Sequence, residues 1–143
     1  MDQITETEVS EFVRRWFHAV HSRASFADQR KFFAPGVGIE TWVGVTLRLE
    51  DQIALHEHLT DESHEFHWLR VEALSDERVH ATADLRWEAT KETGAPGEKR
   101  IRADCGEDWT IERGADGELR FARYLTSSMR YLPGSAQLDL VTQ

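Results

Sequence analysis

The sequence predicts one α+β domain, with three helices first and a curved antiparallel sheet after them. Three observations carry this. An apolar stripe at helical spacing runs from Val9 to Val20. From His64 onward the apolar residues recur with period two instead. Turn-rich clusters, "SDER" from Ser75, "ETGAPGE" from Glu92 and "RGADG" from Arg113, break the second region into strands. Helices followed by a meander pack as helices on one face of a sheet.

The first helix carries Val9, Phe12, Val13, Trp16, Phe17 and Val20 on one side. Thr5 and Glu8 form a Thr-x-x-Glu capping box, and Ile4 and Val9 sit at the staple positions around it. A short second helix is expected from an N-cap at Ser25, carrying Phe26, Phe32 and Phe33 and stopping at Pro35-Gly36. Val37 to Val43 reads as a strand. Leu49 to Leu59 reads as a third helix, with Glu50 and Asp51 in its first turn. Four strands follow, His64–Leu74, Arg78–Thr90, Lys99–Ile111 and Glu118–Leu132. The domain is expected over residues 1–132, with a tail over 133–143.

Composition excludes several classes. The chain has 143 residues, 17 basic against 26 acidic, for a net charge of −9. That balance argues against nucleic acid or an anionic membrane as the main partner. No apolar run reaches the roughly 20 residues of a membrane span. The start, "MDQITETEV", does not read as a signal peptide. The one cysteine, Cys105, excludes an internal disulfide, so a cytoplasmic setting is expected. His18 and His21 are neighbours on the first helix, but no acidic residue at ligand spacing completes a site, so no metal is expected.

One stretch carries the chemistry. In "IRADCGEDWTI" the odd positions are Ile101, Ala103, Cys105, Glu107, Trp109 and Ile111. Glu107 is a carboxylate in the apolar register, where it needs a partner, a proton or a cavity. In the last strand Arg123 stands in the register of Leu119, Phe121, Leu125 and Met129. A three-residue loop, Gly114-Ala115-Asp116, would pair Arg113 with Gly117. It would then set Ile111 opposite Leu119, Trp109 opposite Phe121 and Glu107 opposite Arg123, with Cβ atoms about 5 Å apart. Two readings stay open, a closed structural ion pair and a pocket carboxylate oriented by an arginine. His67 is the third candidate. With a two-residue turn at "SDER" it faces out, and with a bulge it enters the cavity.

The order of elements resembles the NTF2-like superfamily, the SnoaL-like and ketosteroid-isomerase-like cone folds. "FFAPGVGIETWVG" is similar to that family's passage from second helix to first strand, and "EDWTIERGADGELRFARYL" to its strand hairpin. The resemblance implies a cone enclosing an aromatic pocket in a homodimer, without cofactor. Ketosteroid isomerases would place a tyrosine at Trp16, a base aspartate at Thr41 and a hydrogen-bonding aspartic acid at Glu107, and only the last is chemically kept. An epoxide-hydrolase arrangement would use Asp84 but meets Thr82 and Tyr124 in place of its arginine and second aspartate.

The expected site therefore has Glu107, Arg123 and His67 as its chemical groups. Its expected pocket is lined by Trp16, Thr41, Trp42 and Trp87, with Trp109, Phe121 and Tyr124. One reading is a cofactor-free isomerase, dehydratase or cyclase moving protons on a small apolar polycyclic or aromatic molecule. The other is a non-catalytic ligand-binding or dimerisation module.

Overall fold

A computed structural model describes residues 3–138; residues 1–2 and 139–143, the end of the expected tail among them, lie outside the described residues. Helix α1 spans Glu6–His21, α2 Phe26–Arg30 and α3 Leu49–Glu57. Strands β1 Ile39–Glu40 and β2 Thr46–Leu47 are short; β3 Leu59–Ser75, β4 Arg78–Lys91, β5 Arg100–Arg113 and β6 Leu119–Tyr131 are long. They form one six-stranded sheet in the order β2-β1-β6-β5-β4-β3.

Helix α1 starts where the capping box puts it. The Thr5 hydroxyl accepts from the Glu8 backbone N–H at 3.1 Å, and the Glu8 carboxylate accepts from the Thr5 N–H at 3.2 Å. Its apolar stripe, Val9, Phe12, Val13, Trp16, Phe17 and Val20, is buried against the inner face of the sheet. Phe12 and Phe17 each contribute roughly 1.5–3 kcal/mol on burial. Trp87, Trp109 and Phe121 are buried on the same side.

The short elements differ from expectation, each for a hydrogen-bonding reason. Helix α2 stops at Arg30, because Phe32 and Ala34 turn away to bond Phe121 (Phe121 N–H to Phe32 C=O 2.7 Å, Ala34 N–H to Phe121 C=O 2.9 Å). The Val37–Val43 strand shrinks to Ile39–Glu40 and turns back through Thr41–Gly44 into β2. Strand β1 pairs with β6 in parallel, so the sheet is antiparallel except at that seam. Helix α3 ends at Glu57, and Leu59 already belongs to β3. The described part of the tail docks on the sheet: Ala136 N–H bonds Arg100 C=O, and Leu138 N–H bonds the Tyr131 hydroxyl.

Two bulges in β6 decide the site. The hairpin loop is longer than expected, pairing Arg113 with Leu119 and Ile111 with Phe121. Thr110 then faces Arg123, which leaves Ala122 as an extra residue. Trp109 faces Tyr124 and Glu107 faces Thr126, and the next pair, Gly106 and Ser128, leaves Ser127 extra. Each extra residue exchanges the inner and outer faces of everything after it. The inner set of β6 therefore reads Leu119, Phe121, then Tyr124 and Thr126, then Met129. The second bulge also depends on Gly106, where a Cβ would stand 2.6 Å from the Ser128 hydroxyl and 2.8 Å from that of Ser127.

Candidate active site

Between α1, α3 and the inner face of the sheet lies a cavity of about 70 Å³. Trp16, Thr41, Trp42, Trp87 and Tyr124 line it, as does Glu107. Trp109 and Phe121 do not: both are wholly buried behind it in the core. At the rim Trp42, Leu55 and Leu138 are only partly buried, so the cavity opens there.

Glu107 is buried, and its one hydrogen-bond donor among the described residues is the Thr126 hydroxyl, at 3.0 and 3.3 Å from its two oxygens. Burial without a cation pushes its carboxyl well above the ordinary 4.5, and the hydroxyl offsets this only in part. Burial thus biases Glu107 toward its neutral acid form, which can donate a hydrogen bond. Tyr124 stands near, its hydroxyl accepting from the Trp16 indole at 3.4 Å. Burial and the neighbouring Glu107 raise its phenol too. Thr41 is turned away from chemistry, since its hydroxyl donates to Val45 C=O at 2.7 Å.

Arg123 does not meet Glu107. The Ala122 bulge turns it to the outer face, where its guanidinium holds Glu40 at 3.0 Å. His67 is also outside. A bulge does fall at His67, between the pairs Phe66–Leu85 and Trp68–Asp84, but the extra residue itself points outward. There it meets Asp104 at 2.8 Å, which Arg86 also holds at 2.8 Å. Arg86, then His67, lower the Asp104 carboxyl to about 2. His67 and Arg123 thus belong to a salt-bridged outer surface, not to the cavity.

In their place the structure brings in residues from the start of β3 and from α3. His64 faces Trp87 across β3 and β4 and lines the cavity. Its Nδ1 lies 2.6 Å from Nε2 of His21 on α1, and its ring stacks on Phe17 at 4.2 Å and 9°. Desolvation drives His64 well below 6.5, helped by the nearby His21 and His56, so the ring is neutral. With Nδ1 engaged, Nε2 is the nitrogen left to accept a proton from a cavity ligand.

Beside it, Glu62 is the second buried carboxylate, 5% exposed. It accepts from His56 Nδ1 at 2.9 Å and from the Trp87 indole at 3.0 Å. Burial alone would raise its pKa, but these donors outweigh it and hold the carboxyl below 4.5. A bulge between Thr60 and Ser63, with Asp61 at φ 51°, swings Glu62 inward. Asp tolerates that left-handed conformation. His56 Nε2 meets the Gln52 amide at 2.8 Å, and both side chains line the cavity. Among the described residues, no three His, Cys, Asp or Glu side chains converge as metal ligands would. The sequence did hold a signal here: four of the seven histidines fall between His56 and His67, interleaved with acidic residues.

No protein-family model matches the sequence, and no curated protein matches it. Solved structures do. The Kfla4162 protein of Kribbella flavida superposes with a TM-score of 0.71 at 17% identity, over 90% of this chain and 93% of that one. A hexachlorocyclohexane dehydrochlorinase of Novosphingobium barchaimii gives 0.65 at 16% identity, over 92% of each. The beta subunit of a benzoate 1,2-dioxygenase of Burkholderia mallei gives 0.70 at 9%, over 92% and 93%. The chain has the NTF2-like cone fold. These identities establish the fold alone. Within this cone, α3 and the docked tail contribute Leu55 and Leu138 to the rim, and Glu107 on β5 and His64 on β3 both line the cavity. Among the described residues no helix is long and apolar enough to cross a membrane.

Proposed function

We propose that the chain is a cofactor-free proton-transfer enzyme acting on a small, mainly apolar carbonyl compound. One observation carries this: one cavity is lined both by His64, whose Nδ1 is engaged and whose Nε2 has no partner among the described residues, and by Glu107, buried with a hydroxyl and no cation beside it. His64 Nε2 takes a proton from the carbon next to the carbonyl. In this role His64 carries its proton on Nδ1 and donates it to His21 Nε2, 2.6 Å away. The Glu107 carboxylic acid donates to the carbonyl oxygen as negative charge develops there. The Thr126 hydroxyl, 3.0 and 3.3 Å from the two Glu107 oxygens, holds the carboxyl group in place. Trp16, Trp42 and Trp87 wall the apolar part of the substrate.

The cavity volume sets the substrate size. An enclosed cavity of about 150 Å³ takes benzene. A volume near 70 Å³ is less than half of that, so a one-ring substrate would sit partly in the open rim and a polycyclic frame would not fit. The dehydrochlorinase among the similar structures is consistent with carbon-proton abstraction on this scaffold. The dioxygenase beta subunit favours the second reading, a non-catalytic assembly module.

The test is exchange of the α-hydrogens of cyclopentanone in D₂O, followed by proton NMR. Wild type is expected to accelerate it. His64→Gln should lose that acceleration, and Glu107→Leu should lose most of it, since one oxyanion donor is worth about 10²–10³ in rate. Exchange at the buffer rate with wild-type protein overturns the enzyme reading and leaves the module.

A homodimer is the matching assembly. The outer face carries charges of both signs, as in Arg86–Asp104 and Arg123–Glu40, beside exposed Trp68 and Leu74. Light scattering at micromolar concentration should give twice the chain mass; a monomer mass removes the dimer. The lone, buried Cys105 suits a reducing compartment and supports a cytoplasmic location.

A further inference from the structure

Abstracting a proton and holding an oxyanion needs only His64 and Glu107. The cavity contains a third proton-handling group that such a step leaves idle. His56 on α3 lies in the wall, with its Nδ1 fixed by the buried Glu62 carboxylate at 2.9 Å. A carboxylate at Nδ1 places that proton there and leaves Nε2 to gain or release the working proton. Trp87 ties down the same carboxylate at 3.0 Å, so the pair is held from two sides. The partner at Nε2, 2.8 Å away, is the Gln52 amide. An amide suits both protonation states: its NH₂ donates to a neutral imidazole, and its carbonyl accepts from an imidazolium. A ligand hydroxyl reaching Nε2 takes the amide's place.

We propose that His56, oriented by Glu62, is the general acid of the cavity, and that the substrate is a β-hydroxycarbonyl compound which loses water. The assignment rests on the proton-abstraction reading above and names its substrate class. In the step, His64 Nε2 takes the α-proton and the C–H electron pair forms the new C=C bond. The β C–O bond breaks, and the departing hydroxyl takes the proton from His56 Nε2 to leave as water. The protein ends with one proton more on His64 and one fewer on His56. It resets when a proton from water reaches His56 and His64 releases its own. No oxidant, reductant or other co-reactant enters.

Two probes separate this from the reading beneath it. Cyclopentanone reports α-exchange alone. 3-Hydroxycyclopentanone reports dehydration, through the vinyl proton signals of cyclopent-2-enone. Wild type is expected to catalyse both. Glu62→Gln keeps an acceptor for Trp87 but loses the carboxylate that holds His56 Nδ1–H. It and His56→Gln should each lower dehydration at least about tenfold more than they lower cyclopentanone exchange, in keeping with the 10²–10⁴ typical of a general acid. A merely structural Glu62 would depress both reactions together, and that result overturns the proposal. Wild type that exchanges cyclopentanone but does not dehydrate the hydroxyketone also overturns it. Wild type that does neither removes the proton-abstraction reading first. Should either variant fail to fold, ¹⁵N spectra of the wild-type histidines still decide. His56 must carry its proton on Nδ1 in the neutral form, and an Nε2–H tautomer refutes the assignment.

Discussion

Glu107 lines the cavity and Glu62 is buried just behind its wall, bonded to the lining residues His56 and Trp87, and their carboxyl groups are shifted in opposite directions. Glu62 has two N–H donors, from His56 and Trp87, and stays ionised. Glu107 has one hydroxyl, from Thr126, and stays protonated. Burial is common to both. The number and charge of the donors decide which state survives, and hence which glutamate can orient an imidazolium and which can donate a hydrogen bond.

Removing each carboxylate should therefore have opposite consequences for stability. Glu62→Leu strands the His56 Nδ1–H and the Trp87 indole N–H in the interior. A stranded donor costs about 1–3 kcal/mol, so a loss of about 3 kcal/mol is expected in urea melts at pH 7. Glu107→Leu strands only a hydroxyl that can rotate, and it removes a group that folding forces to stay protonated. It should be neutral or stabilising at pH 7. A larger loss at Glu107 than at Glu62 would overturn the comparison.

The pH dependence sharpens it. Glu107 has a raised folded pKa, so above 4.5 the unfolded chain ionises while the folded one holds its proton. Stability then falls as pH rises, by about 1.4 kcal/mol per unit, until the folded pKa is reached. His64 has a lowered folded pKa, so its contribution is present above 6.5 and is lost as pH falls toward the folded value. The Glu107 slope falls from 4.5 upward and the His64 slope acts from 6.5 downward, so the two oppose each other where they overlap. Glu107→Gln should flatten the alkaline limb, and His64→Gln the acidic one. An alkaline limb unchanged in Glu107→Gln would mean the carboxyl is ionised.

Much of this was legible in the sequence. Period-two alternation in "IRADCGEDWTI" put Glu107 inside, and the capping box put α1 at its correct start. What was not legible came from bulges. The extra residues are Ala122 and Ser127 on β6 and His67 on β3, and none of them is glycine or proline. A bulge of this kind arises from tertiary fit, here the closure of a curved sheet over α1, and leaves no local mark. The Ala122 bulge moved Arg123 out and Thr126 in, the Ser127 bulge returned Met129 to the inner face, and the bulge at His67 turned Trp68 outward. Glu62 was hidden differently. It sits just past the end of α3, in a stretch that reads as a loop until Asp61 bends it inward.

The smallest expected effect belongs to the pair that the unbroken register would have formed. Arg123 is about half exposed and pairs with Glu40 on the outer face at 3.0 Å. An exposed pair of this kind contributes about 0–1 kcal/mol, screened further by salt. Arg123→Met should therefore change stability by no more than about 0.5 kcal/mol at 0.15 M salt. Combined with Glu107→Gln, the two effects should add, because the sheet lies between the side chains and they share no partner. The cycle with Glu40→Gln should instead show a small coupling that fades as salt is added. A coupling of 1 kcal/mol or more between Arg123 and Glu107 would mean that β6 runs without the Ala122 bulge in solution. It would put a cation beside Glu107, ionise it, and remove the neutral acid on which the proposed chemistry depends.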